Sequence, residues 1–233
     1  MADKHLSTQF DSDLNAVSNR LMEMGGLVES QMRGAIEALS TFSAEASDRV
    51  ITAEHKVNAM EVQIDRDLSS IIGRRQPTAR DLRLLMAISR VTANLERTGD
   101  EAQKIARMVK SMIASGAARS LPSGELRLAV ELASGLLRKS LDAFARLDTA
   151  MAVEILKEDD AIDLEFNGFI RKLVTYMMED PRTISPSLDL LFVAKALERI
   201  GDHAKNVAES VIYIVEGTDV RHSSISEIES ALS

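Results

Sequence analysis

One phrase occurs twice in this chain, as LERTGDEA from Leu95 to Ala102 and as LERIGDHA from Leu197 to Ala204, displaced by 102 positions. The seam through the first copy reads Leu84, Ile88, Val91, Leu95, Thr98, Ala102, Ile105, Val109, Met112. Through the second it reads Leu190, Val193, Leu197, Ile200, Ala204, Val207, Val211, Ile214. Alternating steps of three and four lay one apolar stripe along a helix packed in a bundle. A long amphipathic helix written twice confines the chain to two repeat-related units, each burying that stripe against helices of its own.

Only 3% of the residues are aromatic, there is no Trp, and there are four prolines. A β-sandwich needs more aromatic and β-branched residues and more turns, so the chain is expected to be all-α. Gln76-Pro77 opens the helix of the first phrase. Ser185-Pro186 opens that of the second, with Ser as N-cap and Pro at the first helical position. Asp180-Pro181 ends the helix before it, and Ser115-Gly116 with Leu121-Pro122-Ser123-Gly124 forms a midpoint linker. Six long helices are predicted over about 7–42, 46–73, 77–114, 123–148, 150–179 and 186–217. They make two tandem, repeat-related three-helix bundles of long antiparallel helices, 1–115 and 116–217, laid end to end; one continuous six-helix bundle is the alternative, and it leaves the midpoint linker without a role. A polar, loosely held tail over 218–233 completes the chain. Met22, Met24, Met86, Met108, Met112, Met177 and Met178 are read as adaptable core filler.

The formal net charge of −8 argues against direct nucleic-acid binding, which needs clustered Lys and Arg to neutralise phosphates. Cations and basic protein surfaces suit this balance better. With no cysteine, disulfides and thiolate-held zinc are excluded, leaving oxygen ligands and four histidines. MADKHLSTQF lacks the apolar core of a signal peptide, and no run of about 18 apolar residues could span a membrane. A soluble, cytoplasmic protein is expected.

Glu96 and Asp100 stand four apart on one helix face, as do Glu198 and Asp202. Like charges at that spacing repel by about 0.2–0.5 kcal/mol, and Gly99 and Gly201 each cost about 1 kcal/mol of helix propensity against Ala. Both features oppose helix stability and both recur. A missing side chain beside the pair lets a neighbouring helix or a ligand come close. The preceding helix of the second half carries Asp159 and Asp163, and alignment of Val57 with Ile162 puts Glu54 and Asn58 at the matching places of the first. Each half thus offers two acidic pairs on adjacent antiparallel helices, a pocket of four oxygen side chains suited to a hard cation or iron.

Two other readings stand beside this one. The acids could be ion-paired, for example with Arg97 and Arg199, in a purely structural bundle. A carboxylate-bridged dimetal oxidase or metal-storage bundle would use Glu-x-x-His, which the sequence does not contain. His203, whose counterpart is Glu101, and His55 are read as surface or partner-facing histidines. The basic stretch GRRQPTARDLR, with Arg74, Arg75, Arg80 and Arg83, is either a partner surface or a solvated turn.

RRQPTARDLR (74–83), LERTGDEAQKIA (95–106), KEDDAIDLE (157–165), LVTYMMEDPRTI (173–184), LERIGDHAKNVAE (197–209) and YIVEGTDVRH (213–222) together resemble the PhoU family. The resemblance implies two tandem three-helix bundles whose duplicated E/D-x-x-x-D motifs bind metal: iron or zinc clusters in some members, magnesium or manganese in others. It implies a non-enzymatic homodimer that reaches the membrane only through its partners. Those partners are the ATPase subunit of the phosphate-specific ABC transporter and the sensor histidine kinase of the phosphate two-component system. Uptake is restrained, and the phosphate-starvation response is kept silent when phosphate suffices. Carried onto this chain, the metal positions are Glu96, Asp100, Asp159, Asp163, Glu198 and Asp202, with Glu54 matching the acidic position upstream. Asn58 stands where the family has Asp. Four formal negative charges in the second half against three in the first lead to the expectation that the second site fills first.

Overall fold

The computed structural model describes residues 8–77, 79–116 and 122–232. Six long helices follow in order, α1 (Thr8–Thr41), α2 (Ala44–Arg75), α3 (Ala79–Ala114), α4 (Arg127–Arg146), α5 (Thr149–Glu179) and α6 (Ile184–Glu216), and a short α7 (Ile225–Leu232) closes the chain. The predicted start at residue 7, together with Thr78 and Leu121, lies outside the described residues. No described helix is long and apolar enough to cross a membrane.

The repeat extends to the turns. Phe42 and Leu147 both adopt left-handed backbone, with φ of 49° and 51°. The next residue, Ser43 or Asp148, returns its N–H to the carbonyl five residues back, on Ala38 or Ala143. The same two residues cap the following helix, accepting from Ala46 N at 3.1 Å and from Met151 N at 2.9 Å. Left-handed backbone costs a non-glycine residue about 1–2 kcal/mol. Phe42 and Leu147 offset it by packing against the core.

Two predicted boundaries are corrected. Gln76 caps the C-terminus of α2 in left-handed backbone, and α3 begins at Ala79. α6 begins at Ile184 behind a single 3-10 turn, Pro181–Thr183, which Asp180 caps, so Ser185 is no N-cap. Pro186 sits in the first turn of α6, where a missing N–H leaves no helical bond unmade.

Each half is a three-helix bundle, α1–α2–α3 and α4–α5–α6, and the most extensive helix pairing in the molecule is between α3 and α6. Arg90 stacks on Tyr213, Asn94 meets His203 and Asn206, Glu101 meets Arg199 and Lys104 approaches Phe192, so the two helices run antiparallel. The bundles therefore lie side by side instead of end to end. α1 and α4 also touch, with Gly25 against Leu141. The reason is the width of the buried arc: besides the seam, α3 buries Ala87 and Ala106, and α6 buries Ala194, Ala196 and Ala208. Small residues give each central helix a second face for close packing.

The tail is not loose. Asp219 bonds Arg90 of α3 at 3.5 Å, Val220 and Ile228 are buried, and Lys157 of α5 pairs with Glu229 of α7. Met24 and Met112 fill the core as expected, whereas Met86 and Met178 are exposed.

Candidate metal centre

The E-x-x-x-D spacing does place both acids of each phrase on one face. In the first half α2 and α3 bring oxygens of Glu54, Glu96 and Asp100 within 4.8 Å of one another. Glu54 is 2% exposed, which for a carboxylate demands partners. One is Gln31 of α1, equally buried, whose Nε2 donates to Glu54 Oε2 at 2.5 Å and to Val50 O at 3.4 Å. The other oxygens, Glu54 Oε1 and Gln31 Oε1, are buried with no hydrogen-bond partner. Gly99 makes this approach possible, since a Cβ there would stand 3.1 Å from Glu54 Oε2 and 3.0 Å from Gln31 Oε1.

The glutamates Glu96, Glu54 and Glu61 hold on to protons. Burial, with Asp100, Glu61 and Glu54 adding repulsion, raises Glu96 to about 7. Burial also pushes Glu54 up, against the Gln31 hydrogen bond. Glu61, two helical turns past Glu54, is raised by burial and then by Asp65 and Asp100. Asn58, one turn past Glu54 on α2, is exposed. Orphaned oxygens and carboxyls of raised pKa both describe a site short of positive charge, and a hard cation fits that donor set.

The second half is arranged differently. Asp159 is 6% exposed and accepts from Lys205 Nζ at 2.8 Å, while Glu198 accepts from Lys195 Nζ at 2.6 Å and leaves its Oε2 without a partner. Asp163 and Asp202 lie nearby with exposed side chains. Desolvation followed by Glu198 and Asp159 lifts Asp202 to about 6, and desolvation followed by Asp159 and Glu198 raises Asp163. Gly201 admits α5, because a Cβ there would meet Ile162 Cδ1 at 2.7 Å.

A cleft of about 410 Å³ between α3 and α6 joins the two sets, lined by Arg97, Asp100, Glu101, Arg199, Asp202 and His203. His203 is half-buried and lines this cleft. Its Nδ1 lies 3.1 Å from Asn94 Oδ1, and burial lowers it to about 4, which keeps it neutral. Arg199 bonds Glu101 at 2.9 Å, an ion pair across the two halves. His55 is exposed.

The PhoU domain pattern matches residues 21–109 and again residues 126–211. The chain belongs to the PhoU family. It is 50% identical over 223 residues to a Burkholderia protein named phosphate-specific transport system accessory protein PhoU homolog, covering 95% of each chain. To the Escherichia coli K12 phosphate-specific transport system accessory protein PhoU it is 43% identical over 231 residues, covering 98% of this chain and 94% of that protein. The crystal structure of PhoU from Pseudomonas aeruginosa superposes with a TM-score of 0.85 at 40% identity, over 90% of this chain and 100% of that one. The phosphate transport system regulatory protein PhoU of Streptococcus pneumoniae gives 0.83 at 25% identity, over 91% and 99%.

In this PhoU-family chain the four arginines of the basic stretch separate by role. Arg75 bonds Asp13 at 3.1 Å and ties α2 to α1, and Arg83 packs beside Gly217. Arg74 donates to Ser70 O and is exposed, as is Arg80. Sequence reasoning missed Gln31, Glu61, Lys195 and Lys205. Gln31 had a signal: it is the polar member of an otherwise apolar stripe, Met24, Val28, Gln31, Ala35, Ala38.

Proposed function

We propose that this chain is a regulator of phosphate homeostasis that acts by binding instead of catalysis. It restrains the phosphate-specific ABC transporter through the ATPase subunit. With the sensor histidine kinase it represses the phosphate-starvation genes while phosphate is sufficient. The observation that carries this reading is the family membership over nearly the whole length, with relatives named as accessory proteins of phosphate-specific transport. In this reading the chain works in the cytoplasm as a homodimer and meets the membrane through its partners.

A cation held by carboxylates belongs to the same proposal, supported by the orphaned oxygens of Glu54 and Gln31. A donor set made of oxygen favours magnesium, manganese or iron; zinc, which takes His or thiolate by preference, suits it less. A hard divalent ion supplies positive charge there. Glu54 of α2 and Glu96 with Asp100 of α3 are then fixed together, and with them the face that α2 and α3 offer a partner. Arg74 and Arg80, the exposed members of the basic stretch, are proposed to contact that partner.

Deletion of the gene tests the regulatory reading. Alkaline phosphatase is expected to be derepressed in rich phosphate, with restoration by the wild-type chain. A deletion strain with repressed alkaline phosphatase and unchanged phosphate uptake would overturn it. Pull-downs from phosphate-replete and phosphate-starved cells are expected to recover the transporter ATPase subunit and the kinase.

A further inference from the structure

The two halves secure their carboxylates by different means. Glu54 is held by a neutral amide, Gln31, which uses one Glu54 oxygen and leaves the other buried and unpartnered. Counted from the caps Ser43 and Asp148, the counterpart of Gln31 in the second half is Leu136, a buried apolar residue. Among the described residues no side-chain amide bonds to Asp159, which is held by Lys205, while Glu198 is held by Lys195. At the spacing of the two phrases, the first-half counterparts of these lysines are Gln103 and Ala93, neither of which carries charge. Gln103 is spent on the backbone carbonyl of Ile51.

These differences reverse the charge comparison drawn from the acids alone. Two half-exposed ammonium groups, bonded to Asp159 and Glu198, offset two of the four formal negative charges of the second set, whereas among the described residues no Lys or Arg bonds to Glu54, Glu96 or Asp100. An ammonium at 2.8 Å from Asp159 stands where a cation would have to approach that carboxylate. Glu198, like Glu54, has one bonded and one unpartnered oxygen, but its donor is the ammonium of Lys195 where that of Glu54 is a neutral amide. Among the described residues, three ligating oxygens converge within 4.8 Å in the first half.

We infer that the first half alone is a cation site, with Gln31 positioning Glu54 for the ion, and that Lys205 and Lys195 serve as built-in cations in the second half. This rests on the cation reading above. A lysine-closed set keeps its geometry whatever the metal supply, while the open set follows it. The internal repeat has become one responsive half and one constitutive half.

Calorimetric titration of the metal-free full chain with Mn²⁺ tests the inference, with the number of bound ions as readout. One ion per chain is expected. Asp100→Asn, at an exposed position, is expected to weaken binding at least tenfold, and the equivalent Asp202→Asn less than twofold. Gln31→Met, which keeps the shape but loses both polar atoms, is expected to weaken binding at least tenfold, and Gln31→Asn to recover part of it. Lys195→Gln with Lys205→Gln is expected to raise the count from one ion to two. Two ions on the wild type, a greater loss from Asp202→Asn than from Asp100→Asn, or one ion still on the double lysine variant would overturn the inference while leaving the cation reading intact. No Mn²⁺ uptake by the wild type at millimolar concentration would remove both.

Discussion

A methyl group on Gly99 would press on two oxygens, Glu54 Oε2 and Gln31 Oε1, whereas one on Gly201 would meet the far end of Ile162. Replacing a helical Gly by Ala gains about 1 kcal/mol of propensity, and crowding a packed site costs about 1–3 kcal/mol. Gly99→Ala is therefore expected to change unfolding free energy by less than about 2 kcal/mol while weakening Mn²⁺ binding at least tenfold, read by denaturant titration and calorimetry. The crowded carboxyls also set a pH dependence. Glu96, at about 7 when folded, binds more proton than its unfolded form between the ordinary glutamate value and 7, so its contribution falls as pH rises through that window. Asp202 acts in the same sense up to about 6, and His203, lowered to about 4, acts in the opposite sense below its ordinary value. Above that value only Glu96 is still titrating among these three. The metal-free protein is expected to melt at lower temperature at pH 7.5 than at pH 6.5, with a smaller difference in Glu96→Gln. At this scale the sequence shows the acids and glycines, because a spacing of four is visible in one dimension. It hides Gln31 and Lys205, because what they touch lies on other helices.

Six helices were legible from seams and breakers, since every residue of both seams except Leu84 is buried. The misread boundaries share a physical cause. Proline is tolerated throughout a first turn, so Pro186 marks the start of α6 only to within a turn, and an αL cap such as Gln76 looks like any polar residue before a proline. The tail was misjudged for another reason. Its eight-residue helix α7 is too short to be stable alone in water, so its order comes from contacts with α5 that no local pattern displays. Ile228 is the buried anchor of that contact, and Lys157–Glu229 is a half-exposed pair worth about 1 kcal/mol at most. Ile228→Ala is expected to release α7, giving fast amide exchange over 225–232 with protection in α1 to α6 unchanged. Retained protection in α7 would show that another contact holds it.

Two repeats laid end to end would share little surface, whereas two laid side by side on α3 and α6 are coupled through it. The repeat was readable from the duplicated phrase, but which faces of the two units meet was not, because the alanines that form the second buried arc are also ordinary helix formers. With the halves merged, the buried residues form one continuous apolar cluster. Separation would expose that surface, and it would also break Glu101–Arg199 and the Asn94–His203–Asn206 contacts. The chain is therefore expected to unfold in one cooperative transition. A cation bound in the first half is then linked to the whole molecule. At a free Mn²⁺ concentration of 100 Kd it should add about 2.7 kcal/mol to global stability. The slowest-exchanging amides of α6, which supplies no oxygen to that set, are expected to gain the same increment as those of α3. Hydrogen exchange with and without Mn²⁺ measures this directly. A gain confined to α2 and α3 would mean that the α3–α6 interface opens before either bundle unfolds.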